Sequence, residues 1–224
     1  MSKIVHPYAY RLGILRGWRH RWFASGPKYQ EYLKADILLR EFLQRQTRGM
    51  YIGGIEMERN DKTLHVIVKT SRPGMIIGRS GEGSVKLKNS IVAFLQNKKL
   101  GVPEIKLDIE EIRSPESNAA IVAYMVVEGL EKRMPFRRVL KQTIEKVMAN
   151  RDVKGVRISL GGMLGGGSMS RTEELKKGRV PLQTLRSDID FARERANMPL
   201  GVIGVKVWIY RGEVFAADAK ENKK

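Results

Sequence analysis

One short turn constrains this chain more than any other feature. Residues Met75-Ile76-Ile77-Gly78-Arg79-Ser80-Gly81-Glu82 place a G-x-x-G turn directly after an apolar pair. Upstream, Leu64, Val66 and Val68 alternate with His65, Ile67 and Lys69, the period of a strand, and another strand reads over 52–58. Downstream, Leu87, Ile91, Phe94 and Leu95 recur at helical spacing up to Gly101, and Ile105, Leu107 and Ile109 mark a third strand. Ahead of all these, Ser25-Gly26-Pro27 signals a helix start, with Tyr29, Leu33, Ile37, Phe42 and Leu43 as its expected core stripe and Gly49 as its stop. The order is helix, strand, strand, glycine turn, helix, strand. Glycines permit positive φ and a close backbone approach, and a helix N-terminus offers free N–H groups to an anion.

That order resembles a type II KH domain, in which the G-x-x-G loop clamps a single-stranded backbone. The resemblance makes Gly78, Arg79, Ser80 and Gly81 candidate RNA contacts. The same residues also fit a plain helix-start turn that marks the fold without touching RNA.

Ser114-Pro115 breaks the pattern and is the expected domain boundary. A helix follows over about 116–133, apolar all round at 119–127 and therefore buried. Pro135 suits the first turn of the next helix, which runs to about Asn150 with Phe136, Leu140, Ile144 and Val147 as its core face. A strand reads over 153–160, a glycine-rich loop over 161–167, and an alternating strand over 202–210. The expected fold class is therefore α/β, of the α+β kind. Its domains are an arm with a KH domain over 1–113, a second α/β domain over 114–215, and a flexible tail over 216–224.

Charge narrows the partners. Forty-two Lys and Arg against 24 Asp and Glu leave a net charge of +18 on 224 residues, which points to a polyanion. The longest apolar run has nine residues, 119–127, against the ~20 of a membrane span. Ser2 stands where myristoylation needs glycine, and there is no cysteine to carry a lipid, so no membrane role is expected. The absence of cysteine also excludes disulfide scaffolds, thiolate metal sites and a cysteine nucleophile, and His6, His20 and His65 have no metal-ligand spacing. The loop Gly162 to Gly167 has the glycine spacing of a phosphate loop, but Ser168 follows at once with no lysine. Asp188 and Asp190, between Arg186 and Arg193, read as salt-bridged rather than metal-binding. No nucleophile, base and orienter set emerges, so the chain reads as no enzyme, with no cofactor and no metal.

The positive charge is patterned. Residues 1–30 carry Lys3, Arg11, Arg16, Arg19, Arg21 and Lys28 with no acid, and Tyr8, Tyr10, Trp18, Trp22 and Phe23 lie among them. Cations interleaved with aromatics suit phosphate contact with base stacking, and equally suit an arm packed by its aromatics. Residues 104–131 reverse the sign, with seven acids against two bases, and 132–157 swing back, with nine bases against two acids. Such alternation separates surfaces for nucleic acid from surfaces for protein. Arg137, Arg138 and Lys141 share one helix face, because residues three and four apart are neighbours, and no acid lies among them.

Over almost its whole length the chain resembles the bacterial-type small ribosomal subunit protein S-three family. The matching stretches include Val5-His6-Pro7, Arg11-Leu12-Gly13-Ile14, Trp22-Phe23-Ala24 and Arg72-Pro73-Gly74-Met75-Ile76-Ile77-Gly78. Others are Met134-Pro135-Phe136-Arg137-Arg138, Ser170-Arg171-Thr172-Glu173, Gly178-Arg179-Val180-Pro181-Leu182 and Leu185-Arg186-Ser187-Asp188-Ile189-Asp190. The resemblance implies an N-terminal type II KH domain and a C-terminal domain whose antiparallel sheet is backed by two helices, with 179–190 mostly strand. It implies an rRNA-bound structural protein in the head of the small subunit, in a cytoplasmic ribosome and not a functional homo-oligomer. Its expected neighbours are proteins S-ten and S-fourteen, with S-two, S-four and S-five nearby. It also implies a place at the channel through which mRNA enters, where Arg137, Arg138 and Lys141 contact mRNA and help unwind it. Lys3, Arg11, Arg16, Arg19, Arg21, Arg171, Arg179 and Arg186 are the candidate rRNA contacts. Two departures stand out. Met163 and Ser168 replace the family's usual Arg and Glu in the glycine loop, and Glu174 replaces its usual aromatic. A free-standing KH regulator of RNA is the alternative reading. A nucleic-acid enzyme is a further one, lacking any visible lysine or carboxylate set.

Overall fold

The computed structural model describes residues 5–60, 62–101 and 104–215, so Lys3 and the tail expected over 216–224 lie outside the described residues. The chain divides into two compact units: residues 18–113, and residues 1–17 together with 114–224. The second unit resumes at Ser114. The arm through Gly17 belongs to the C-terminal unit rather than to the KH unit.

The 18–113 unit follows the expected order. A short strand β1 (His20–Arg21) precedes helix α2 (Pro27–Gln46), strands β2 (Ile52–Arg59) and β3 (Thr63–Thr70), helices α3 (Pro73–Ile77) and α4 (Glu82–Asn97), and strand β4 (Glu104–Glu111). Helix α1 is the short Pro7–Tyr10 turn of the arm. The sheet order is β1-β2-β3-β4, with β2 and β3 antiparallel and β4 parallel to β3. The alternation read along β3 puts Leu64, Val66 and Val68 in the core with Met57 and Ile105. Leu87, Ile91 and Leu95 of α4 close over them. The stripe expected on α2 holds at Phe42 and Leu43 and is mis-phased before them. Ala35, Leu39 and Leu43 are its buried row, while Tyr29, Leu33 and Ile37 are exposed. Two residues turn a helix by about 200°, so the two apolar rows lie on opposite faces, and composition alone does not say which is core.

In the other unit, helices α5 (Ala119–Glu131) and α6 (Phe136–Ala149) pack on a four-stranded antiparallel sheet of order β6-β5-β8-β7. Its strands are β5 (Gly155–Gly162), β6 (Arg171–Gly178), β7 (Ser187–Met198) and β8 (Gly201–Glu213). The apolar run of α5 is buried, as its composition requires. Asn118 caps its first turn, and Asp190 accepts the Ala119 N–H at 2.9 Å. Residues 179–186 are not the strand the resemblance implies. Strand β6 ends at Gly178 and β7 begins at Ser187. Between them the chain lays Val180 and Leu182 against Ile189, Trp208 and Tyr210, forming a small second core. Among the described residues, no helix is long and apolar enough to cross a membrane.

Candidate nucleic-acid interface

The G-x-x-G loop is built from backbone geometry. Gly78 ends α3 at φ 69°, Ser80 sits at φ 52°, and Gly81 precedes α4 in the left-handed region at φ 82°. Three positive-φ residues within four positions fold the chain back sharply, and no side chain caps the first N–H groups of α4. Arg79 and Ser80 are exposed at the tip. A third glycine, not singled out in the sequence, sets the geometry. A Cβ on Gly83 would stand 2.4 Å from the Ile76 carbonyl oxygen and 2.9 Å from that of Ile77. Gly83 thus lets α4 touch the backbone of α3, and this contact holds the loop between them. The loop therefore presents a helix N-terminus, unblocked N–H groups and one arginine, an arrangement able to hold a phosphate.

Helix α6 carries the second site. Val139, Leu140, Thr143, Ile144 and Val147 are its buried face, with Phe136 half-buried at its start. Val139 and Thr143 widen the stripe expected from spacing. Arg137, Arg138 and Lys141 all lie exposed on the other side. Arg137 reaches Glu173 at 3.5 Å, and Arg171 pairs with the same carboxylate at 3.4 Å. Both guanidinium groups also lie over the Phe136 ring, at 5.5 and 5.7 Å. Among the described residues, Arg138 and Lys141 have no ion-pair partner. In the adjoining glycine loop, Leu164 is buried while Met163 is exposed. Phe136 lies 3.4 Å from where a Cβ on Gly165 would stand. Glu174, in the family's usual aromatic position, instead binds Arg157, which lies 5.0 Å above Trp208.

The remaining candidates separate. Arg11 is not a surface cation. It is fully buried, and its Nε donates to the Ser187 carbonyl at 2.6 Å. Its Nη1 donates to Pro7, and its Nη2 to Leu182 and Thr184. Burial pushes its guanidinium below the usual arginine range, with Asp188 opposing the shift. It is a structural clamp and leaves the RNA-contact set. Arg16 is bound to Asp188 at 2.5 Å and is three-quarters buried. Asp188 and Asp190 are salt-bridged as expected, but by Arg16 and Arg211 rather than by their sequence neighbours. Arg21 pairs with Glu58, and Arg186 with Glu213. Arg19 and Arg179 are exposed. The arm's aromatics divide as well: Trp22 donates to Asp36 at 2.6 Å, while Trp18 and Phe23 are 69% and 91% exposed, with ring faces open to stacking. No group of three or more His, Asp or Glu able to hold a metal occurs among the described residues.

A G-x-x-G loop in a type II KH unit, joined to a second α/β unit with a cationic helix face, defines a KH-domain protein of the nucleic-acid-binding class. The KH domain model matches residues 38–117, and the model for the C-terminal domain of ribosomal protein S3 matches residues 126–209. Small ribosomal subunit protein uS3 of Pseudomonas fluorescens Pf0-1 is 41% identical over 223 residues, covering 100% of this chain and 95% of the relative. The uS3 proteins of Pseudomonas syringae pv. syringae B728a and Pseudomonas aeruginosa PAO1 match at the same identity and coverage. The chain belongs to the uS3 family of small ribosomal subunit proteins.

Proposed function

We propose that the chain is a structural, rRNA-binding protein of the small-subunit head in a cytoplasmic ribosome, lining the channel through which mRNA enters and helping incoming mRNA to unwind. Its protein neighbours are S-ten and S-fourteen, with S-two, S-four and S-five nearby. The observation that carries the mRNA role is the α6 face: Arg137, Arg138 and Lys141 are exposed within one turn, about 6 Å of rise. Glu173 and Phe136 hold Arg137 in place, whereas Arg138 and Lys141 have no acid among the described residues to satisfy them. Cations at that spacing follow the phosphates of one strand, and gripping a strand as a duplex enters favours the open form without hydrolysis. Phosphate contacts carry little sequence information, so the effect is independent of the message.

Replacing all three by Ala leaves the buried face of α6 intact and removes like-charge repulsion. Stability stays within about 0.5 kcal/mol, and the variant enters small subunits. Translation through a stable mRNA hairpin slows several-fold, while an unstructured message is read at nearly the wild-type rate. Failure to enter subunits, or equal slowing of both messages, makes these residues rRNA anchors and removes the unwinding role. Sedimentation of the chain with small subunits in a sucrose gradient separates this reading from a free-standing KH regulator.

The G-x-x-G loop gives an independent expectation. Arg79→Asp with Ser80→Asp retains the fold, because Asp tolerates the positive φ of Ser80. RNA affinity falls, and the log–log salt slope drops by roughly 0.7–0.9 for each phosphate that the loop no longer holds. An unchanged slope makes the loop a fold marker only.

A further inference from the structure

The KH unit has a second cationic feature, at the opposite end of α4 from the G-x-x-G loop. Sixteen helical residues separate the two ends, about 24 Å. There the end of α4, Asn60, Lys62 and one side of α2 line an open cleft of about 720 Å³. Lys34, Arg59, Lys62, Lys98 and Lys99 line it. Two carboxylates, Glu31 and Glu104, also line it, yet none of the four lysines forms an ion pair with a described residue. Lys62 is fixed at the rim because its carbonyl accepts the Glu104 N–H at 2.9 Å. Lys99 holds a left-handed conformation, φ 54°, at the end of α4, a position where glycine is usual.

Arg59 forms part of the cleft wall. It is 9% exposed, and its guanidinium lies 4.6 Å over the Tyr32 ring. Its Nη2 donates to Asp36 at 3.0 Å, but its Nε is buried without a partner among the described residues. A guanidinium has five N–H groups, and burial makes each unsatisfied one costly. Stacking on Tyr32 and the Asp36 contact hold the planar fork in one orientation at the cleft wall. Its charge is taken by Asp36, so Arg59 shapes the wall, and the exposed Lys34, Lys62, Lys98 and Lys99 are the groups open to phosphate. Four exposed lysines line the cleft against two carboxylates, Glu31 and Glu104, a balance that favours a polyanion. Phosphate contact requires only cations.

We infer that this cleft is a second RNA-backbone site of the KH unit, taking phosphodiester groups of a single strand at a place separate from the G-x-x-G loop. The inference rests on the RNA-binding reading of the chain. The test uses the full chain and a labelled 20-nucleotide oligouridylate, titrated by fluorescence anisotropy across a KCl series. Lys62→Ala, Lys98→Ala and Lys99→Ala are combined in one variant. Its control removes equal charge from the same unit through Lys28→Ala, Arg40→Ala and Lys88→Ala. The cleft variant melts as wild type does, and its salt slope falls by roughly 1.4–2.1, corresponding to two or three phosphates. The control's slope falls by less than half of that, and the effect of the cleft variant adds to that of the Arg79–Ser80 double variant. An unchanged slope in the cleft variant, with the loop variant still impaired, overturns the cleft site and leaves the RNA-binding reading standing. Equal drops in the two triple variants mean a diffuse field and overturn it as well. Weakened binding of poly-glutamate with unchanged RNA binding overturns it in favour of an acidic protein segment. If the wild-type chain shows no salt-dependent RNA affinity, the functional reading itself fails and the cleft site fails with it.

Discussion

Arg11→Ala is expected to cost the C-terminal unit about 4 kcal/mol or more, the largest effect for any single cation here. Hydrogen bonds to a charged group contribute roughly 1.5–3 kcal/mol each, and a buried carbonyl left unpaired costs roughly 1–3 kcal/mol. Arg11 serves the carbonyls of Pro7, Leu182, Thr184 and Ser187 from a fully buried position. Arg11→Lys recovers only a minor part, because an ammonium on a flexible stem cannot reproduce the planar fork. Calorimetry of the full chain should show the transition of the unit formed by 1–17 and 114–224 lowered by more than about 10 °C. The transition of the 18–113 unit should stay in place. A destabilisation below about 1 kcal/mol would mean that the carbonyls find other partners, and the clamp would be a minor contact.

The second large effect is expected at Gly83, where two principles oppose each other and geometry decides. Replacing a helical glycine by alanine ordinarily stabilises by about 1 kcal/mol. At Gly83 the new methyl would meet the Ile76 carbonyl oxygen at 2.4 Å, and backbone cannot swing aside as a side chain can. We expect Gly83→Ala to destabilise the KH unit by about 2–3 kcal/mol and to lower RNA affinity by displacing the G-x-x-G loop. Gly129→Ala on α5 is the useful contrast. There the methyl meets only Val139 side-chain carbons, at 3.1 and 3.2 Å. Side-chain carbons can give by a few tenths of an ångström where backbone cannot, so the cost should be smaller than at Gly83 and RNA binding should not change. A Gly83→Ala variant that melts higher than wild type would remove the close approach of α3 and α4 as the device that sets the loop.

Local pattern carries the KH unit well, because its signals are local. Strand alternation in β3 and β4, the helical spacing of α4, and glycines at the loop are each read within about a dozen residues. The same logic finds α6 and its exposed cations, since a charged helix face is defined by its own i, i+3 and i, i+4 neighbours. It fails where partners are distant in sequence. Arg11 looks like any other arm cation until the carbonyls at 182–187 are brought around it. Asp188 is claimed by Arg16 rather than by the adjacent Arg186. The segment 179–186, a strand only by the family resemblance, places its carbonyls on Arg11 and its apolar side chains on the second core. On α2, two apolar rows compete in the first half, and only packing selects Ala35 and Leu39 over Leu33 and Ile37. The cleft cations are legible as letters but not as a set, because Lys34, Lys62 and Lys98 belong to three separate stretches of chain.

The arm has a temporal consequence. Arg11 and Ser187 are 176 residues apart. At about 5–20 residues per second, synthesis places roughly 10–35 s between their appearance. The 18–113 unit is continuous and can close while the ribosome is still making its successor, whereas residues 5–17 wait for a loop that does not yet exist. During that interval the Arg11 guanidinium is uncovered on a nascent chain, free to be held by RNA or a chaperone. Residues 5–17 are therefore among the last to be placed, because the carbonyls that bury Arg11 come from 182–187.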